Sequence, residues 1–347
     1  MTTVINGTTG VSLVQPGIIV PASMAAGAVE GGVVTPFCFR NKIINGNLDF
    51  WQVGTSLSAG TGARYLADMF YTYSGGSTVA PSQQAFALGQ TDVPREPAFF
   101  HRSVVASSAG AGNFSIFGQK VEGVRTLAGK SATLTFYAKA DAAKNIAFEG
   151  TQNFGSGGSP SSAVTGIAVT TCSLTTSWQK FTIPITFPSI SGKTLGSNGN
   201  DCIELAWWLE AGSTFNSRTN SLGQQSGTFD IAQVQLEEGS IATPFEMRPK
   251  ALELTLCKRY FEIIMASFSC GAISGSSQTL GGCANYSVEK RALPAITLFS
   301  DISATAFPAG LCSIANQQLG SGWFYKQSTG ANVNAGWGNL LSIDARL

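Results

Sequence analysis

A single histidine, His101, stands among the 347 residues, so the commonest general base of hydrolytic triads is nearly missing. No Gly-x-Ser-x-Gly elbow and no phosphate-cradling glycine loop accompanies it. Seven cysteines occupy positions 38, 172, 202, 257, 270, 283 and 312. The odd count leaves at least one unpaired within a chain, and no Cys-x-x-Cys occurs, so neither a disulfide framework nor a zinc site is indicated. Buried small apolar side chains are the simpler reading. The acids available for glycoside cleavage are Asp201, Glu204, Glu210, Glu237 and Glu238. Such cleavage needs an acid and a second carboxylate flanking one bond, and the local spacing marks no such pair. The expectation is a protein that is not an enzyme.

Binding chemistry has better candidates. In the run Cys202 to Glu210, strand alternation puts Ile203, Leu205, Trp207 and Leu209 on a core face and Glu204, Ala206, Trp208 and Glu210 on the other. An indole on a non-core face between two carboxylates has the parts to stack on a sugar and accept its hydroxyl hydrogens, which makes Trp208, Glu204 and Glu210 a candidate glycan site. The competing reading buries both faces. Asn47, Asp49 and Asp230 supply hard oxygen atoms suited to a structural Ca²⁺, against the plainer role of bonding local backbone at turns and strand ends. No other cofactor is indicated.

The elements that must carry these residues are mostly strands. From about 41 to 249, short alternating runs are separated by Gly, Ser, Asn and Pro clusters, the pattern of a β-sandwich or barrel. Phe181, Ile183, Ile185 and Phe187 share one face of a strand that Pro184 marks as an edge, and Ala132, Leu134, Phe136 and Ala138 share a face of another. The Gly- and Ser-rich stretches 154–160 and 191–200 read as loops. Behind Pro249, Leu252, Leu256, Tyr260, Ile263 and Ile264 recur at helical spacing, with Cys257 and Phe261 as a second apolar edge, and predict one amphipathic helix over about 250–264. Alternation then returns around Tyr286, Val288 and Leu293 to Phe299. The chain therefore divides into an extended arm (1–40), a β-domain (41–249) and a helix plus small C-terminal β-domain (250–347).

Charged residues make up 12% of the chain, against about 25% in an average soluble protein. With 21 Lys plus Arg and 20 Asp plus Glu there is no field to attract a polyanion, so nucleic acid is not an expected partner. A surface this poor in charge favours burial against sister subunits. Three copies of the predicted helix, meeting through Leu252, Leu256, Tyr260 and Ile263, would form a trimer axis. No basic leader opens the sequence and no apolar run nears the 18 or so residues of a membrane span, so neither secretion nor membrane insertion is expected. Three Asn-x-Ser/Thr matches, at Asn6, Asn113 and Asn285, carry no weight without a secretory signal. Residues 1–40 hold one acid, Glu30, and one base, Arg40, with neither helical nor strand period, as suits an arm that orders on a partner surface.

Several stretches resemble a known group of phage structural proteins: Ile44-Asn45-Gly46-Asn47 with Trp51-Gln52, VEGVRTLAGKSATLTFYAKA (121–140), QNFGSGGSPS (152–161) and LTTSWQKFTIPITFPSISGKTLGSNGNDCIEL (174–205). The likeness continues through GQQSGTFDIAQVQLEEGSIATPFEMRP (223–249), LELTLCKRYFE (252–262), YSVEKRALPAITL (286–298) and the closing Asp344-Ala345-Arg346-Leu347. It implies a mainly β fold: a jelly-roll β-sandwich like that of carbohydrate-binding modules, then one amphipathic helix and a small C-terminal β-domain. It also implies a virion location, as a tail-fibre or spike subunit. The expected partners are two sister chains in a homotrimer, other virion proteins held through residues 1–40, and host-surface carbohydrate bound by the outer β-domains. Alternatives are a capsid decoration or connector protein without a receptor, and a glycan depolymerase. Two departures stand out. Ala67-Asp68-Met69-Phe70 replaces an Ala-Asp-Arg-Trp pattern, and residues 1–40 match nothing specific.

Overall fold

The computed structural model describes residues 39–270, 278–305, 307, 312–328 and 335–347. The predicted arm lies outside them, apart from Phe39 and Arg40. Ten strands come first: β1 (Gly60–Tyr65), β2 (Phe70–Ala85), β3 (Phe99–Ala106), β4 (Phe114–Glu122), β5 (Ser131–Ala140), β6 (Lys144–Asn153), β7 (Val164–Leu174), β8 (Gln179–Thr186), β9 (Cys202–Ala211) and β10 (Gly227–Glu238), with a one-turn helix α1 (Asn216–Thr219) before β10. Helix α2 (Lys250–Lys258) leads to β11 (Phe261–Cys270), β12 (Thr279–Asn285), β13 (Ala295–Thr305), β14 (Ser313–Ala315), β15 (Ser321–Gln327) and β16 (Ala335–Asp344). The chain is mainly β, as its alternating pattern predicts.

The first ten strands form one continuous sheet in the order β7-β6-β9-β4-β2-β3-β10-β5-β8, with β1 beside β2. It doubles back on itself through β2, whose first half pairs β4 and whose second half pairs β3. The switch falls at Gly75–Gly76, where the register shifts. Gly76 has φ +73, and a Cβ there would lie 1.9 Å from the Asn113 side chain, so only glycine fits the corner. The result is a sandwich of two layers. Trp207 on β9 meets Phe136 on β5 at 5.4 Å although those strands never pair, and Phe117, Phe148, Ile183, Phe229, Ile231 and Leu236 complete the shared core. Burying each such side chain contributes roughly 1.5–3 kcal/mol. The strand carrying Pro184 is one edge of the sheet, and Ile203, Leu205, Trp207 and Leu209 do face the core.

The predicted helix over 250–264 is shorter than its spacing suggests. It ends at Lys258, because Phe261 to Ile264 pair with Asp344 to Leu341 of β16, and aromatic and β-branched side chains suit a half-buried strand. Leu252, Leu256, Tyr260 and Ile263 therefore share no helical stripe. The buried residues of α2 are Glu253 and Cys257, while Leu252 and Leu256 stay half-exposed. Cys257 and Tyr260 pack with Met69, Ile44 and Phe50 of the sandwich. Met69, in the Ala67-Asp68-Met69-Phe70 stretch, thus supplies a docking contact for the helix region.

The C-terminal strands make two three-stranded sheets, β11-β16-β13 and β12-β15-β14, around Tyr286, Phe324, Trp337, Leu341 and Ile343. Tyr286 and Val288 lie in the connection after β12 rather than on a strand of their own. This unit touches the sandwich closely. The Arg346 guanidinium lies 3.9 Å from the Tyr65 ring and 4.3 Å from Phe261, and the Lys120 Nζ donates to the Leu347 carbonyl at 3.1 Å.

Candidate functional site

The face of β9 predicted to meet a sugar is sealed. Trp208 is 1% exposed. The segment after β9 folds back over it, so that Phe215 packs on the indole at 4.9 Å and the Arg218 guanidinium lies over its ring at 5.0 Å. Glu149 of β6 anchors this roof: its carboxylate takes two hydrogen bonds from Arg218 at 2.8 Å, one from Trp208 Nε1 at 3.1 Å and one from the Gly166 amide at 2.6 Å. The flanking acids are equally committed. Glu210 is fully buried and accepts from the Ser107 and Ser115 hydroxyls, and Glu204 accepts from the Tyr71 hydroxyl at 2.5 Å. Burial and the Glu204 charge push the Tyr71 phenol well above its ordinary pKa, so it remains a donor. Trp208, Glu204 and Glu210 thus form internal structure rather than an open sugar platform.

The three proposed Ca²⁺ ligands are not assembled around one point. Asp230 is gripped by Arg102 in two 2.8 Å bonds and by Lys139 at 3.8 Å. Asn47 donates to Asp49 at 3.0 Å, and Asp49 also pairs with Lys250. Among the described residues no three His, Cys, Asp or Glu side chains gather as a metal-binding group. The Ile44-Asn45-Gly46-Asn47 motif instead staples the bulge in β10. The Val234 amide donates to the Gly46 carbonyl at 2.9 Å, a Cβ on Gly46 would fall 2.2 Å from the Val234 oxygen, and the Asn45 amide donates to Glu253 of α2.

His101 is also structural. It stacks on Phe117 at 4.3 Å, its Nε2 meets Ser103 Oγ at 2.8 Å, and burial lowers its pKa to about 3, which keeps it neutral. Of the remaining acids, Asp201 accepts from the Val124 amide, Glu237 from the Thr243 amide and hydroxyl, and Glu238 pairs with Lys130.

The other layer presents a different outer surface. On β3, β10 and β5 the registers Arg102↔Asp230 and Asp230↔Lys139 set one acid between two bases on the side facing away from the core. Beside this ladder Phe86, Phe100 and Trp178 form a triangle with ring centres 4.8, 5.2 and 5.1 Å apart, and Lys139 Nζ lies 5.1 Å from the Trp178 ring. Trp178 and Phe86 remain half-exposed. Two residues along β5 from Lys139, Tyr137 opens onto a groove of about 390 Å³, including its open mouth, lined also by Arg95, Thr135, Lys180 and Gln233. Burial raises the pKa of the Tyr137 phenol, which keeps it protonated.

Of these residues the sequence singles out Asp230 alone, and as a metal ligand rather than as part of this surface. Positions 86, 100, 102, 137, 139, 178, 180 and 230 converge only through the pairing of β3, β10, β5 and β8. The one local sign was Trp178, an aromatic placed in a polar Thr-Thr-Ser turn just before an alternating strand.

No family model matches the chain, and no curated protein matches it. Solved structures of similar layout include one described as "CBM4 structure and function" (TM-score 0.34, 18% identity, covering 56% of this chain and 98% of that one). Another is the enzymatically active domain of tailspike protein 4 of bacteriophage CBA120 (TM-score 0.32, 11% identity, 58% of this chain), of which this chain spans 22%. A third is the family 11 carbohydrate-binding module of the cellulase Lic26A-Cel5E of Clostridium thermocellum (TM-score 0.30, 15% identity, covering 52% and 96%). No described helix is long and apolar enough to cross a membrane.

Proposed function

We propose that this chain is a non-catalytic glycan-binding subunit of a phage particle, with the outer face of the β3-β10-β5-β8 layer as its sugar-binding surface. The observation that carries the binding reading is the half-exposed Trp178–Phe86 shelf beside the Arg102–Asp230–Lys139 ladder. Aromatic rings supply the apolar platform that the C–H face of a pyranose needs, and an adjacent fixed row of donors and acceptors supplies orientation. The particle location rests on the sequence resemblance. A non-catalytic role accords with the neutral, buried His101 and with the structural engagement of the described candidate acids. A homotrimer accords with the low charge and with exposed Met265, Leu293, Phe299 and Trp323 on the C-terminal unit, apolar surface that a sister chain would cover. Several weak sites on one particle would then give avidity without any tight single site.

The test is an oligosaccharide array probed with the full chain and with Trp178→Ala, alongside light scattering. The expected result is a trimer whose array binding falls at least about tenfold in the variant, as loss of a principal stacking ring implies. Undiminished binding by a folded Trp178→Ala would remove this surface from consideration.

A further inference from the structure

The groove beside the aromatic shelf carries a chemistry of its own. At the bulge of β10, where the register shifts between Ala232 and Gln235, Gln233 adopts φ +44 and turns its side chain to the outer face. It is 1% exposed. Its Nε2 donates to the Pro94 carbonyl at 2.7 Å and to Asn47 Oδ1 at 3.3 Å, which fixes the amide orientation. Its buried Oε1 accepts no hydrogen bond among the described residues. A buried amide oxygen without a donor is costly, and a ligand hydroxyl reaching it would recover that loss.

The rim supplies the second feature. Arg95 and Glu96 are consecutive non-glycine residues in the left-handed region, with φ +63 and +51, a strained backbone of the kind that persists where a side chain must be held in place. Arg95 and, across the groove on β8, Lys180 are exposed cations with no carboxylate partner among the described residues. Among the acids on this side, Glu237 is bonded to Thr243 and Gln235, Glu96 accepts from the Gly89 amide, and Asp230 is held by Arg102 and Lys139. The half-buried Tyr137 ring lies between, on β5.

We infer that this groove binds an acidic saccharide unit, its carboxylate received by Arg95 and Lys180, its ring face laid on Tyr137 and a hydroxyl donated to Gln233 Oε1. The inference rests on the glycan-binding reading above and specifies the sugar: a neutral glycan would leave both cations unused, whereas a carboxylate accepts a charge-assisted hydrogen bond from each. The neighbouring shelf would hold the next residue of the chain, so the preferred ligand is an oligosaccharide with at least one uronate or sialate-type unit.

The experiment uses the full chain on an array holding oligoglucuronates, oligogalacturonates, sialyl-oligosaccharides and their neutral parents, followed by calorimetry with the best acidic and best neutral member. Arg95→Gln/Lys180→Gln changes two exposed side chains that bond no other described residue, so the variant is expected to retain the fold. Support is preferential binding of an acidic oligosaccharide, weakened by added salt and lowered at least tenfold in the double variant, with any neutral binding unchanged. Binding of neutral members alone, or acidic binding indifferent to the double variant, overturns the inference and leaves the broader glycan reading standing. Binding to no member of the array sinks both.

Discussion

Replacing Arg218 with alanine removes the only cation that, among the described residues, meets the buried carboxylate of Glu149, whose side chain is 0% exposed. Stripping one partner from a buried ion pair costs about 3–5 kcal/mol. Two features reduce that here. Arg218 is itself 32% exposed, so water can follow it out, and Glu149 keeps the bonds from Trp208 Nε1 and the Gly166 amide. Both effects bring the expected loss to about 2–3 kcal/mol. In a folding unit of this size each kcal/mol lowers Tm by roughly 2–4 °C, so a drop of roughly 4–12 °C is expected in a calorimetric melt. The damage is local as well as global, because Arg218 is part of the roof over Trp208. Acrylamide should quench the tryptophan fluorescence of Arg218→Ala more strongly than that of the parent under conditions where both are folded. Glu149→Gln keeps the shape and removes the charge, so the double variant should lose about 1–2 kcal/mol less than the sum of the singles. A Tm within 1 °C of the parent, or strictly additive losses, would refute the idea that this pair fastens the roof.

Two further tests address stability. The His101 imidazole titrates near its ordinary value of 6.5 in the unfolded chain but at about 3 when folded. Between those values the unfolded state binds the extra proton, so stability falls as pH drops through that window, by up to about 1.4 kcal/mol per pH unit. His101→Gln should flatten urea-midpoint curves taken from pH 7 to 5 by about 1–2 kcal/mol overall, and parallel curves would contradict the assignment. Gly46→Ala forces a Cβ to within 2.2 Å of the Val234 carbonyl oxygen, and the backbone must part; a loss of about 2–3 kcal/mol in thermal unfolding is expected, and an unchanged Tm would show that the β10 bulge does not depend on that approach.

Much of the sandwich is legible in the sequence because strand alternation is a local property. The Cys202 to Ala211 and Phe181 to Phe187 patterns identify inner faces, and Pro184 identifies an edge, since each depends only on neighbours two residues away. The reading fails where a distant segment decides. Nothing local shows that residues 212–222 return over Trp208, and the acid that holds them, Glu149, lies 59 residues away from that indole. Helix α2 is a similar case. The apolar spacing runs on past Lys258, but pairing of Phe261 with Asp344 and Ile263 with Ser342 offers those residues a strand partner that a periodicity argument cannot see.

The two outer faces of the sandwich explain why strand alternation points to a face that the fold seals. Both carry an indole beside charged groups, and alternation alone ranks Trp208, set in a perfect strand, above Trp178, set in a turn. Burial reverses the order. On the β9 layer each charge is consumed in fastening the chain to itself, with Glu149 on Arg218 and Glu210 on two serines, so the apolar ring is covered at no cost in stranded polarity. On the β3-β10-β5-β8 layer Asp230 is matched by Arg102 and Lys139, while Arg95 and Lys180 have no ion pair among the described residues beside a half-exposed tyrosine. In a chain with so few charges, two exposed cations beside one groove are a direct way to hold an anion, which is why our proposal sets recognition on the open layer and not on the layer with the tidier alternation.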